Sequence, residues 1–265
     1  MDVPAIELVA LTKCFRNAKK PAVDSVNLTV SQGEVLAIVG GSGSGKTTTL
    51  KMINRLIEPT SGSVRVMGED VTNRDPVILR RSIGYAFQGV GLFPHMTVGQ
   101  NVGVTLRLLS QASECVSKRV DELLTMVELP ADEYRNRLPA ELSGGQQQRV
   151  GFARALASKP RAILMDEPFG ALDPITRDGL QQEFRSLQKK LQLSVVLVTH
   201  DMSEAVLLSD RVAVMHEGEV AQVGSPHELL TNPVNDYVAQ LIDTPRRHSD
   251  FIESLMRTAP GEGTQ

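Results

Sequence analysis

Three features of this 265-residue sequence predict an α/β fold built on a parallel sheet, with antiparallel strands ahead of it and a helical region inserted into it. VLAIVG at 35–40 is a short, nearly all-apolar run that reads as a central strand buried on both faces, and it runs straight into the glycine-rich loop GGSGSGKT at 40–47. AILM at 162–165 and VVLVT at 195–199 are further apolar runs separated by a helical pattern; strands alternating with helices imply a parallel sheet covered on both faces. Between the first strand and these later ones, apolar residues return at helical spacing over a long stretch.

Taken in order, Ile6, Leu8 and Leu11, then Val26, Leu28 and Val30, then Val64 and Val66 alternate with polar residues, as half-buried antiparallel strands do. From Thr47 the period becomes helical, with Leu50, Ile53, Leu56 and Ile57 on one face until Pro59 and Gly62 stop it. After Gln88 a loop, GVGLFPHMTV, leads to helical stretches over 98–127 and 146–157, and another helix is expected between Pro174 and Gln192. RVAVMHEGEVAQVG reads as a hairpin turning at Glu217 and Gly218, and Ser225, Pro226 and Glu228 form a capping-box helix start. The expected organisation is a discontinuous core, 1–88 and 158–243, a helical insert, 89–157, and a tail, 244–265. The tail carries a short amphipathic stretch with Phe251, Leu255 and Met256, and its closing APGEGTQ reads as disordered.

Composition narrows the function. Net charge is −3, so the basic footprint of a duplex-binding domain is missing and nucleic acid is not expected as a partner. Cys14 and Cys115 show neither metal-ligand spacing nor a disulfide framework, which suits a reducing, cytosolic compartment. The start, MDVPAIELVA, lacks a basic segment and an apolar core of the secretory type. No apolar run approaches the roughly 18 residues needed to span a bilayer, so any membrane role is expected to come through a partner.

The chemistry begins at GGSGSGKT. Gly40 and Gly45 permit backbone geometry that side chains forbid, so successive amide N–H groups can wrap phosphate oxygens at a helix N-terminus. Lys46 adds positive charge for the outer phosphates, and the Thr47 hydroxyl is placed to ligate magnesium. RAILMDEP then delivers two acids at the C-terminal end of a strand, where open parallel sheets bind ligands. Asp166 would hold magnesium and Glu167 would orient or deprotonate the attacking water, although an Asp-Glu pair alone is as readily a solvated loop. Gln88 and His200 end two other strands and are candidates to touch the terminal phosphate; taken singly, either is an ordinary structural residue. Phe15 could stack on an adenine ring or simply pack into the core.

LSGGQQQRV, at 142–150, looks like a second phosphate cradle. Ser143 serves equally as the N-cap of the following helix, but a cap alone does not call for two consecutive glycines, which weaken a helix start unless backbone must approach something closely. Lying in the insert, this motif is not expected to reach its own chain's nucleotide. A second copy of the chain, docked head to tail in a closed two-fold dimer, would bring Ser143 and Gly145 to the ATP seated in the other copy's loop.

GGSGSGKT, Gln88, LSGGQ, ILMDEP, GALD and His200, in this order, resemble the nucleotide-binding subunit of an ABC transporter over about residues 5–242. The resemblance implies a P-loop NTPase core of the RecA-like type and ATP with Mg2+ as cofactors. It implies phosphate contacts at Gly40, Gly41, Ser42, Gly43, Ser44, Gly45, Lys46, Thr47 and Thr48, and partner-nucleotide contacts at Ser143, Gly144, Gly145 and Gln146. Phe15 resembles the adenine-stacking aromatic, Gln88 the glutamine that links magnesium to the helical region, Asp173 the aspartate that crosses to the partner, and His200 the switch histidine. Glu167, His200 and Gln88 are therefore the expected catalytic set, and Thr47, Gln88 and Asp166 the metal set. Gly41 departs from the proline of many relatives, a change the permissive loop is expected to absorb.

KMINRLIEPTSG, GVGLFPHMTV, FGALDPITRDGLQ and VTHDMSEAVLLSDRVAVM are similar, more narrowly, to subunits of importers of glycine betaine, choline, carnitine and related quaternary amines. That likeness implies transmembrane permease subunits as partners, indirectly an extracytoplasmic substrate-binding protein, and a place on the cytoplasmic face of the membrane. Several such relatives continue into C-terminal regulatory CBS modules, so regulation through those modules is in doubt for this chain. Among rivals, chromosome-maintenance ATPases place a long coiled coil between the two motifs and translation factors fuse two cassettes; neither pattern is here. A small-molecule kinase would leave LSGGQ without purpose, while a transporter subunit for an amino acid, polyamine or lipid stays open.

Overall fold

The computed structural model describes residues 3–87 and 89–243. Its first layer is a four-stranded antiparallel sheet of β1 (Ile6–Lys13), β2 (Val23–Val30), β4 (Ser61–Val66) and β5 (Glu69–Asp70), ordered β2-β1-β4-β5. Ile6, Leu8, Val26, Leu28, Val30, Val64 and Val66 all turn into one core, as their two-residue spacing dictates.

The second sheet has six strands in the order β10-β9-β3-β8-β7-β6. Its strands are β3 (Val35–Val39), β6 (Gly84–Ala86), β7 (Ala162–Asp166), β8 (Ser194–Thr199), β9 (Arg211–His216) and β10 (Glu219–Gly224). Pairing is parallel from β9 through β6, and only the β9-β10 hairpin runs antiparallel. Every residue of β3, β7 and β8 is buried, which accounts for their continuous apolar runs. The hairpin turns where Glu217 and Gly218 both take positive φ, the geometry of a tight two-residue turn. The fold is thus the mixed α/β class expected of the sequence.

Helices cover this sheet: α1 (Lys46–Ile53), α2 (Pro76–Ser82), α7 (Pro174–Leu191), α8 (Met202–Leu208) and α9 (Pro226–Thr231), followed by helical residues 236–243. The helix at the glycine loop is shorter than its apolar period suggested. Arg55 adopts a left-handed backbone (φ 55°), and the N–H groups of Leu56 and Ile57 both return to the Lys51 carbonyl, a C-terminal wrap that leaves Leu56 exposed.

Between β6 and β7 stand α3 (Val98–Leu108), α4 (Ser113–Met126), the short α5 (Ala131–Tyr134) and α6 (Gly144–Ala155). The expected single stretch over 98–127 is two helices, because Ser110 turns left-handed (φ 55°) and lets the second fold back on the first. The two meet where a side chain at Gly103 would stand 3.0 Å from Val116. The helix α6 belongs to both regions: Val150, Phe152 and Ala153 join one apolar cluster with α3, α4, β7 and β8, and Phe152, Phe169 and Phe184 meet at ring distances of 5.6–6.2 Å. The tail at 244–265, with Phe251, Leu255 and Met256, lies outside the described residues.

Candidate functional site

The parallel register brings three strand ends together. Val39 pairs with Thr199 and Asp166 with Val198, so the loop after β3, the acids after β7 and His200 after β8 share one edge of the sheet.

The loop at 40–45 is fixed by close approach. A side chain at Gly40 would stand 2.2 Å from the Met215 carbonyl oxygen, and one at Gly45 would stand 2.4 Å from that of Ala22; both residues take positive φ. Only glycine fits. Ser44 accepts the Gly218 N–H through its backbone carbonyl, which ties the loop to the β9-β10 turn. Lys46 is buried at the first position of α1, and its Nζ donates to the carbonyls of Gly40 (2.8 Å) and Gly41 (2.9 Å). Burial lowers its pKa, against the raising fields of Glu167 and Asp166. Ser42 and Gly43 are exposed at the loop tip, and Thr48 is half-buried on α1.

Thr47 Oγ1 donates to Asp166 Oδ1 at 2.9 Å. Burial raises the Asp166 carboxyl, against the Thr47 hydrogen bond and the charges of Lys51 and Lys46. Tyr85, on β6, stands beside it; burial and the Asp166 carboxylate push its phenol up. Next along, Glu167 takes φ 45° while its N–H donates to Val198 O, and its Oε1 lies 3.3 Å from His200 Nδ1. The structure therefore brings Lys46, Thr47, Asp166, Glu167 and His200 into one cluster.

Two others singled out in the sequence, Phe15 and Asp173, lie at the exposed surface. Phe15 is exposed in the loop between β1 and β2, with the Lys13 ammonium 5.4 Å from its ring centre, so packing into the core is excluded for it. Gln88 lies outside the described residues. Asp173 is exposed and caps α7 by accepting the Thr176 N–H.

Ser143 is the N-cap of α6: its Oγ accepts the Gln146 N–H while Gln146 Oε1 accepts the Ser143 N–H. The hydroxyl keeps its own proton to donate outward. A side chain at Gly145 would stand 2.6 Å from Thr176 Cγ2, so the packing of α6 on α7 also favours glycine there. Gly144 alone is exposed and open.

Sequence reasoning missed three residues. Asn101, wholly buried on α3, accepts the Phe93 N–H and donates to Phe93, Met96 and Thr97 carbonyls. Arg154, buried on α6, donates to Val90 and Gly91 carbonyls at 2.7 Å each. Together they pin the loop before α3. A polar residue on an otherwise apolar helix face was the available signal for both. The third, Tyr237, accepts the Gly41 N–H at 2.9 Å and so ties the loop to the helical residues 236–243.

A family model described as ABC transporter matches residues 23–170, more than half of the chain. The chain belongs to the ABC transporter family. It is 52% identical over 260 residues, 96% of this chain and 68% of the relative, to the glycine betaine/carnitine/choline transport ATP-binding protein OpuCA of Bacillus subtilis. It is 49% identical over 262 residues, 98% of this chain and 68% of the relative, to the osmoprotectant import ATP-binding protein OsmV of Salmonella typhimurium. Among solved structures it resembles the dimeric ATP-binding cassette MJ0796 bound to ADP and Pi, with a TM-score of 0.74 and 36% identity, covering 83% of this chain and 98% of that one. As an ABC ATP-binding protein the chain binds ATP and hydrolyses it in step with transport. Among the described residues, no helix is long and apolar enough to cross a membrane.

Proposed function

We propose that this ABC transporter subunit drives import of a quaternary amine, of the glycine betaine, choline or carnitine type, through separate permease subunits. The observation that carries the substrate class is the identity of about half over nearly the whole chain to proteins named for those molecules. An extracytoplasmic substrate-binding protein would hand substrate to the permease. The chain would sit on the cytoplasmic face of the membrane through that partner.

Each site residue has a role in this reading. ATP lies along the loop at 40–45, with Gly40, Ser42, Gly43, Ser44 and Gly45 offering amides, Gly41 shaping the first turn while its own N–H bonds Tyr237, and Lys46 and Thr48 at the head of α1. Lys46 faces the outer phosphates and Phe15 the adenine. Thr47 and Asp166 are hard oxygen donors already 2.9 Å apart, a set that fits magnesium; held there, Mg2+ would supply positive charge and offset the charge that burial makes costly on Asp166. Gln88 completes that set.

Glu167 takes the proton of the attacking water, held by the contact of its carboxylate with His200. Phosphoryl transfer asks mainly for positioning and charge stabilisation, so His200 acts on the terminal phosphate while Glu167 aligns the water. A second copy of the chain, in a two-fold head-to-tail dimer, supplies Ser143, Gly144, Gly145 and Gln146 over the triphosphate, with Asp173 crossing at the seam. Binding closes the pair and hydrolysis reopens it. The loop at 88–96, with exposed Phe93 and half-buried Met96, is the proposed permease contact, next to exposed Phe87 and Leu56.

Uptake in cells lacking the chain provides the test. Labelled glycine betaine, choline and carnitine should accumulate when the intact chain is restored and should not with Lys46→Ala, while spermidine uptake stays unchanged. Restoration of spermidine uptake alone would move the chain to a polyamine importer.

A further inference from the structure

We propose that Tyr237 is a positioning residue of the ATP-binding loop: its hydroxyl, brought by the helix at 236–243, takes up the Gly41 N–H and holds the first turn of the loop ready for phosphate. The contact is a 2.9 Å hydrogen bond with Gly41 as donor, and the same hydroxyl donates in turn to Met215 O at 3.4 Å. Met215 O is also the oxygen that forbids a side chain at Gly40. One carbonyl and one phenol thus bracket two consecutive residues of the loop.

The phenol is held in turn. Its ring lies 3.8 Å, centre to centre, from the His216 imidazole at the end of β9. On the same helix Val238 and Ile242 are buried in a cluster with Val212, Val214 and Leu229. Tyr237 therefore reaches the loop from a packed support.

Gly41 explains why such a support is useful here. A proline at this point would fix φ by itself and have no N–H, and glycine does neither. Glycine leaves the backbone free, so more conformations must be given up when phosphate binds. A bond from Tyr237 restricts the turn beforehand. Ordering the loop beforehand lowers the cost of binding without touching the reacting atoms, so the effect belongs to ATP affinity and not to the chemical step.

Titration of the full-length chain with ATP, together with steady-state hydrolysis, tests this. Tyr237→Phe keeps the ring and its stack but removes the hydroxyl; ATP affinity should fall by about 3- to 10-fold, one hydrogen bond's worth, with kcat unchanged. In a Gly41→Pro background, which has no donor, the same substitution should change nothing. In a Gly41→Ala background, whose added carbon would stand 3.6 Å from the hydroxyl and which keeps the N–H, the loss should return. Unaltered affinity in Tyr237→Phe, or an equal loss in the proline background, overturns the proposal. So does a fall in kcat with affinity preserved.

Discussion

Glu167 holds a backbone angle that L residues seldom adopt, φ 45°, while its N–H stays bonded to Val198 and its carboxylate reaches His200. Left-handed backbone costs energy that surrounding structure must offset, and it turns this side chain off the strand line toward the loop at 40–45. If Glu167 is the base, Glu167→Gln should leave ATP affinity intact and slow hydrolysis by roughly 10²- to 10⁴-fold, read by nucleotide titration beside a phosphate-release assay. A variant that hydrolyses normally would transfer the role elsewhere. Close by, Glu204 is buried and accepts the Thr199 hydroxyl at 2.6 Å, while its other oxygen has no hydrogen-bond partner among the described residues. Burial raises its pKa from an ordinary 4.5 to about 7; the Thr199 bond, Arg177 and His200 oppose that shift, and Asp201 adds to it. Between those two values the folded chain binds more protons than the unfolded one, so this group's contribution falls as pH rises through the window and is flat above it. Glu204→Gln should therefore gain stability relative to the parent between pH 5 and pH 8 in denaturant titrations. Parallel profiles would contradict this. The acids and Lys46 were legible because loop, strand end and helix start are local patterns. Asn101, Arg154 and Tyr237 were not, since their partners lie 4 to 196 residues away and are chosen by tertiary packing.

At the scale of elements, α6 is the piece with two duties. Its N-terminus presents Ser143 and Gly144, and near its other end Arg154 grips the carbonyls of Val90 and Gly91. A helix of 12 residues is stiff over that distance, so whatever meets Ser143 is mechanically joined to the loop before α3. Arg154→Met keeps much of the side-chain length but no donor. It should raise amide exchange across 89–96 while β3 stays protected, and cost about 2 kcal/mol of stability through two lost hydrogen bonds. Unchanged exchange would show that Arg154 does not hold the loop. Element type was readable from period wherever one face was apolar, as in β2 and β4, and from a continuous apolar run in β3. Element ends were less so: α1 stops at Ile53 because Arg55 turns left-handed and bonds the carbonyls of Val71 and Arg74, partners the sequence does not announce.

For the whole molecule, the sequence order of motifs carried the fold and family, and packing within one chain revises part of the reasoning for a dimer. Glycine at 145 has a reason within its own chain, the nearby Thr176, while Ser143 and Gly144 stand exposed beside it. The proposed division of one ATP site between two copies therefore rests on Ser143 standing exposed in the helical insert, while the cluster around Lys46 lies at the sheet edge. The mass in solution of Glu167→Gln with ATP and magnesium, measured by light scattering with and without Ser143→Arg, tests that division most directly. The account predicts about twice the 28.8 kDa chain mass for Glu167→Gln, and a return to one chain mass, with nucleotide still bound, once Ser143→Arg is added. A single-chain mass for Glu167→Gln, or a dimer indifferent to Ser143→Arg, would contradict it.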